Sequence, residues 1–136
     1  MTKAITYGLL AATTALGAAL LFWLQPMVGR VLLPEFGGSA AVWTTCLLVF
    51  QSLLFLGYLY AHKLISNTHC HPHTHLGLLL ISVPLMAVLF LEDPSVISVG
   101  SPVLSAGLTL SAMVGLPYLL LSATSPVIQG WARKGM

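Results

Sequence analysis

Five histidines and two cysteines are the side chains of this 136-residue chain with the clearest capacity for chemistry. Four of the histidines share one run with a cysteine, His69-Cys70-His71-Pro72-His73-Thr74-His75, and His62 precedes it. Imidazole and thiolate are ligands for zinc or copper, and an extended segment would present alternate histidines on one face. His69, Cys70, His71, His73 and His75 are therefore the candidate metal ligands. Their spacing matches no zinc-finger pattern, and Pro72 interrupts it. A loop facing water needs hydrophilic residues, and histidine serves equally as one of those. Cys46 and Cys70 form no CxxC pair and suggest no disulfide framework, so both read as free thiols.

Three further polar residues stand out against an apolar background. Arg30 and Glu35 are opposite charges close together near a helix end, with Pro34 between them. Ionisable groups at membrane depth are costly and mark function, but near a helix end both can reach water and act as a structural pair. Gln51 falls midway along an apolar stretch, flanked by Ser52 and a turn or more from Thr44, Thr45 and Cys46. In lipid it is expected to face other helices and hydrogen-bond there, with Thr109, Ser111, Ser122 or Thr124 as partners. These three residues are the candidates for a structural or transport role. Nothing supports catalysis: GxSxG, GxxxxGK[ST], HExxH and haem-attaching CxxCH patterns do not occur. No catalytic residue and no organic cofactor is expected.

The elements that carry these residues follow from composition. Apolar residues make up 57% of the chain and charged residues 6%, against about 25% charged in ordinary soluble domains. Five basic and three acidic residues cannot cover a water-facing surface. The fold class expected is an all-α integral membrane protein, a single domain over 1–136. A spanning helix takes about 20 apolar residues, which allows about four: 7–24, 40–61, 75–91 and 102–122. Between the first two, Pro26, Gly29, Pro34, Gly37 and Gly38 predict a partly re-entrant or interfacial turn. Ser39 and Ser101-Pro102 read as N-terminal caps, Pro84 and Pro117 as kinks, and 125–134 as an interfacial segment. The apolar stretch from Ala4 to Leu24 is longer than a signal peptide's core and ends without a small-x-small site, so it reads as an uncleaved helix.

Ala11, Ala15 and Ala19 recur at spacing four, with Gly17 beside them. Small side chains let helices approach closely in lipid, and these are the predicted helix-packing residues. Orientation follows from the basic residues: with the N-terminus inside, Lys3, Lys63, Arg133 and Lys134 are cytoplasmic and Arg30 is outside. Trp23 and Trp43 then fall at one interface, and Tyr58, Tyr60 and Trp131 at the other. A formal charge of +2 argues against nucleic acid as a partner.

The run Gln25-Pro26-Met27-Val28-Gly29-Arg30-Val31-Leu32-Leu33-Pro34-Glu35-Phe36-Gly37-Gly38-Ser39, followed by Ala41-Val42-Trp43-Thr44-Thr45-Cys46, resembles a known family. So do Gly57-Tyr58 with Tyr60-Ala61-His62, and Gly115-Leu116-Pro117 with Leu121-Ser122-Ala123-Thr124-Ser125-Pro126. Together they look like the N-terminal membrane half of bacterial spermidine-synthase-like proteins, the fused major-facilitator/spermidine synthase type. The likeness covers about 21–64 and 107–131, and 26–46 is its most specific part. It implies a bacterial inner-membrane location. It carries over no aminopropyl-transfer activity, because that would reside in a soluble domain beyond Met136, and the histidine run is not part of the pattern. The function expected is that of a non-enzymatic small inner-membrane subunit, packed among lipid and other membrane proteins in a complex or a homo-oligomer. Half of a small-molecule or ion transporter is the alternative, with Arg30, Glu35 and Gln51 along its route. Metal handling through the histidine loop is the third reading.

Overall fold

The computed structural model describes residues 2–66, 72–91 and 97–133. Among them the regular elements are four helices, α1 (Thr2–Glu35), α2 (Ala40–Ser66), α3 (Pro72–Leu91) and α4 (Pro102–Arg133), with no strand. α1, α2 and α4 are long and apolar enough to cross a membrane, while α3 carries a shorter apolar stretch, Thr74–Leu85. The expected four spans therefore correspond to three helices of full length and one that falls short among the described residues. At about 1.5 Å per residue, α1 and α4 are each about 50 Å long, well beyond a hydrocarbon core of about 30 Å.

α1 departs most from the sequence pattern. The turn expected over 25–39 is not formed as a re-entrant segment, because α1 continues through Pro26 and Pro34 to Glu35. A proline inside a helix removes one backbone bond and costs about 3 kcal/mol. Here Leu21, Leu24, Val28 and Leu32 pack against the core on both sides of Pro26, and burial of several large side chains at about 1.5–3 kcal/mol each outweighs one lost bond. The reversal is confined to 36–39. Gly37 and Gly38 take positive φ values of 84° and 61°, and the Gly38 N–H donates to the Leu33 carbonyl at 2.8 Å. That bond back across the helix end is a Schellman closure, which favours glycine because a Cβ crowds the carbonyl. Ser39 then caps α2 as its sequence suggests, its Oγ accepting the Val42 N–H at 3.3 Å.

α4 is the centre of the bundle: α1, α2 and α3 all pack on it, α2 most extensively, and α1 also touches α2. Its run is unbroken through Pro117 and Pro126 to Arg133, so 125–133 continues α4 and is not the separate segment expected. Ala123 and Val127 pack with Ala61 and Leu64 of α2, and this contact holds the last turns of α4 in register. The main core joins Val28, Leu32 and Phe36 of α1, Val42, Cys46 and Phe50 of α2, and Ala106, Leu110, Met113, Val114 and Tyr118 of α4.

α2 and α4 run in the same direction, since Gly107 meets Thr45, Gly115 meets Leu53, Ser122 meets Gly57 and Gly130 meets Ile65. Two of these approaches leave no room for a side chain. A Cβ on Gly57 would overlap Ser122 Oγ and lie 2.7 Å from the Leu119 carbonyl oxygen, and one on Gly130 would lie 2.5 Å from Ile65 Cδ1.

Candidate functional site

Two groups of polar side chains inside the bundle were not paired by the sequence pattern, although His75 and Thr124 were each named for other roles. Near the middle, Gln25 of α1 donates through Nε2 to the Tyr118 hydroxyl of α4 at 2.8 Å. Tyr118 is 1% exposed, and its ring lies against Phe50 at a centroid distance of 5.0 Å, tilted by 52°. A cavity of about 90 Å³ adjoins it, lined by Leu24, Leu79, Ser82 and Leu121 among others. Ser82 is also buried, and its hydroxyl donates to the Leu79 carbonyl at 2.9 Å. The sequence signal was present in a glutamine placed just before Pro26, but the predicted turn assigned that residue to a helix end.

The second group lies near the C-terminal end of α2. His75 is 4% exposed, with its Nε2 3.3 Å from Thr124 Oγ1 and its ring 5.8 Å from that of Tyr60. The Thr124 hydroxyl already donates to the Leu120 carbonyl at 3.0 Å. The imidazole must therefore donate from Nε2, which leaves Nδ1 as a buried acceptor without a partner.

This placement removes His75 from the expected metal array. His75 belongs to α3, and its imidazole is turned into the bundle toward Thr124. His69, Cys70 and His71 lie outside the described residues. Among the described residues no group of three or more His, Cys, Asp or Glu could hold a metal ion.

Arg30, Glu35 and Gln51 are all exposed and do not converge. Arg30 and Glu35 sit five residues apart on one continuous helix, about 140° around its axis, so the helix itself separates them. Glu35 lines a cleft of about 480 Å³ with Ser98, Ser101 and Ser105. The nearby segment is tied to α4, as the Val99 N–H donates to Ser105 Oγ at 2.9 Å and the Ile97 N–H to Thr109 Oγ1 at 3.1 Å. Gln51 does not meet Thr109, Ser111, Ser122 or Thr124, because it is exposed about 100–120° around α2 from Phe50 and Gly57, which face α4.

Along α1 the bundle-facing line is Leu10, Thr14, Gly17, Leu21, Leu24 and Val28, each half-buried or buried. Those positions alternate spacings of four and three, which tracks a helix of 3.6 residues per turn. Strict spacing of four drifts by about 40° each step, and Ala11, Ala15 and Ala19 accordingly wind off this line and remain exposed. Gly17 alone of the predicted packing residues sits on it. Ala11 and Ala15 instead border an open cleft of about 630 Å³ between the first half of α1 and the end of α4, where Ile128, Gln129, Ala132 and Arg133 form the other wall. The small residues that permit close contact within the chain are Gly107, Gly115, Ser122 and Gly130 on α4, Gly57 on α2, and Gly29 on α1, where a Cβ would lie 2.7 Å from Trp43 Cζ3.

In comparisons with known proteins, the chain matches no family model, no curated protein and no solved structure.

Proposed function

We propose that this chain is a non-enzymatic, multi-pass membrane subunit that works by packing against other membrane proteins, with both termini cytoplasmic. The observation that carries this reading is the state of α1. None of its most apolar 18-residue window is buried, against 50% of the corresponding window in α4. An apolar helix facing only lipid has no need of small side chains, whereas Ala11 and Ala15 beside an open cleft suit a neighbouring helix brought to close range. The likeness of 26–46 to the membrane half of spermidine-synthase-like proteins supports a bacterial inner membrane as its site. Half of a transporter is the second reading, and the Gln25–Tyr118 pair beside a small cavity favours it.

Purification from native membranes in mild detergent tests the first reading. A stoichiometric partner protein is expected, and Ala15→Leu, which keeps the helix apolar enough to insert, should release it. If no partner is recovered, or if Ala15→Leu retains it in full, the packing-subunit reading is lost.

A further inference from the structure

The outer face of α2 carries a pattern that the bundle does not use. Thr44, Leu48, Gln51, Phe55, Tyr58 and His62 follow one another at spacings of four and three, and all are exposed. Leu48 is 67% exposed and Phe55 62%. This rhythm is that of a seam between two helices packed knobs-into-holes, the common left-handed crossing of membrane bundles.

One residue on the seam requires a partner. The Thr44 hydroxyl donates to the Ala40 carbonyl at 2.8 Å, and that of Ser52 beside the seam donates to the Leu48 carbonyl at 2.8 Å. Such hydroxyls are satisfied within their own helix. The Gln51 carboxamide has no hydrogen bond to any described residue, and it lies near the midpoint of Ala40–Ser66. At that depth in a bilayer, neither water nor lipid satisfies an amide.

We propose that a second copy of this chain docks on this face, the two α2 helices side by side and Gln51 of each copy bonded to Gln51 of the other. Two copies inserted with one topology present Gln51 at the same depth, so the helices pair in parallel and each amide meets its own kind. A carboxamide offers both donors and an acceptor, which makes it its own complement across a two-fold axis. From Thr44 to Tyr58 the seam carries no formal charge, so identical faces meet without repulsion. A different protein would need a polar group at this depth, which a second copy supplies of necessity. The inference rests on α2 spanning the bilayer and is independent of what covers α1.

Cysteine cross-linking of the full chain in lipid nanodiscs, in a Cys46→Ala, Cys70→Ser background, tests the geometry. Leu48→Cys and Phe55→Cys should each link copy to copy at the same residue on oxidation, while Leu53→Cys, turned toward Gly115 of α4, should not. Gln51→Leu should weaken dimerisation about tenfold, read by energy transfer between labelled copies at varied protein-to-lipid ratio. Unchanged melting of the dilute variant establishes that it folds. A Gln51→Leu dimer as tight as the parent's, or links at Leu53→Cys in place of Leu48→Cys, overturns the proposal. So do links from Leu48→Cys to a different protein in native membranes. Loss of the α1 partner in Ala15→Leu with the dimer intact separates this interface from the first one.

Discussion

A hydroxyl on a helix can return its proton to a carbonyl one turn back, and Thr13, Thr14, Thr45 and Ser111 do so at 2.7–2.9 Å. A glutamine has more capacity than its own helix satisfies, and Gln25 finds Tyr118 across the bundle. Tyr118→Phe leaves the Gln25 amide unpaired at a half-buried position, and Gln25→Leu leaves the phenol unpaired at a buried one. Each should lower stability by about 1–2 kcal/mol. The double variant should lose less than the sum by about 0.6 kcal/mol, the mean of such couplings in membrane helices, and by at most about 1.7 kcal/mol. Thermal unfolding of all four forms in one detergent measures it, and strict additivity would deny the bond any energetic role. Glycines divide just as sharply. Gly57→Ala must push the Leu119 carbonyl or α4 itself aside and should cost about 1–3 kcal/mol. Gly8 has nothing within 4 Å of a Cβ, so Gly8→Ala should be neutral or stabilise by about 0.5–1 kcal/mol.

Helix ends are set by whichever outweighs the other, local chemistry or packing. At Pro26 packing prevails, because apolar residues on both sides of it are anchored in the core. At Gly37 and Gly38 local chemistry prevails, since both residues occupy a left-handed conformation that no tertiary contact requires; a Cβ on Gly38 finds only the Leu33 carbonyl at 4.0 Å, and one on Gly37 finds nothing within 4 Å. Gly37→Ala should therefore destabilise by about 1–2 kcal/mol through backbone strain alone, and Gly37→Asn by less. Equal melting temperatures for the alanine, asparagine and parent chains would show that the turn does not need its glycines. The sequence revealed the Ser39 cap, which depends on neighbouring residues, but spread the turn over 25–39 where the structure confines it to 36–39. It did not reveal that α1 lasts through Pro26, because that depends on what α1 packs against.

The three long helices order the whole molecule's charges. α2 and α4 run in one direction, so Lys63 and Arg133 fall at one end. The tight turn after α1 places Arg30 toward the other end, and the first half of α1 borders the end of α4. With more basic residues at the first end, that end should face the cytoplasm. Ser66→Cys, at the end of α2, should then be shielded from an impermeant maleimide in intact cells, while Ser98→Cys, beside Glu35, should be labelled. Cys46 is buried and should stay silent, and Cys70→Ser removes the other native thiol. Labelling of Ser66→Cys alone would invert the topology, and labelling of both would remove the spanning arrangement altogether.

Composition and run length were enough, in the sequence, for the helical class and for four helices, since each is a sum over many residues and survives local error. They were not enough for helix lengths, because α1 and α4 run well past the expected 7–24 and 102–122. The Ser39 cap and the turn glycines Gly37 and Gly38 were legible for the complementary reason that they depend on a few adjacent residues. Phase around a helix was not legible: four-residue spacing pointed to Ala11, Ala15 and Ala19, while the structure turns the line from Leu10 through Gly17 to Val28 toward the bundle. Only tertiary structure decided which faces meet. It assigned the close approach to Gly57 and Gly130, drew His75 inward onto Thr124 and turned Gln51 outward. In a chain with 57% apolar and only 6% charged residues, hydrophobicity cannot distinguish a core face from an outward face, and the distinction is left to shape and to where the few amides and imidazoles find partners.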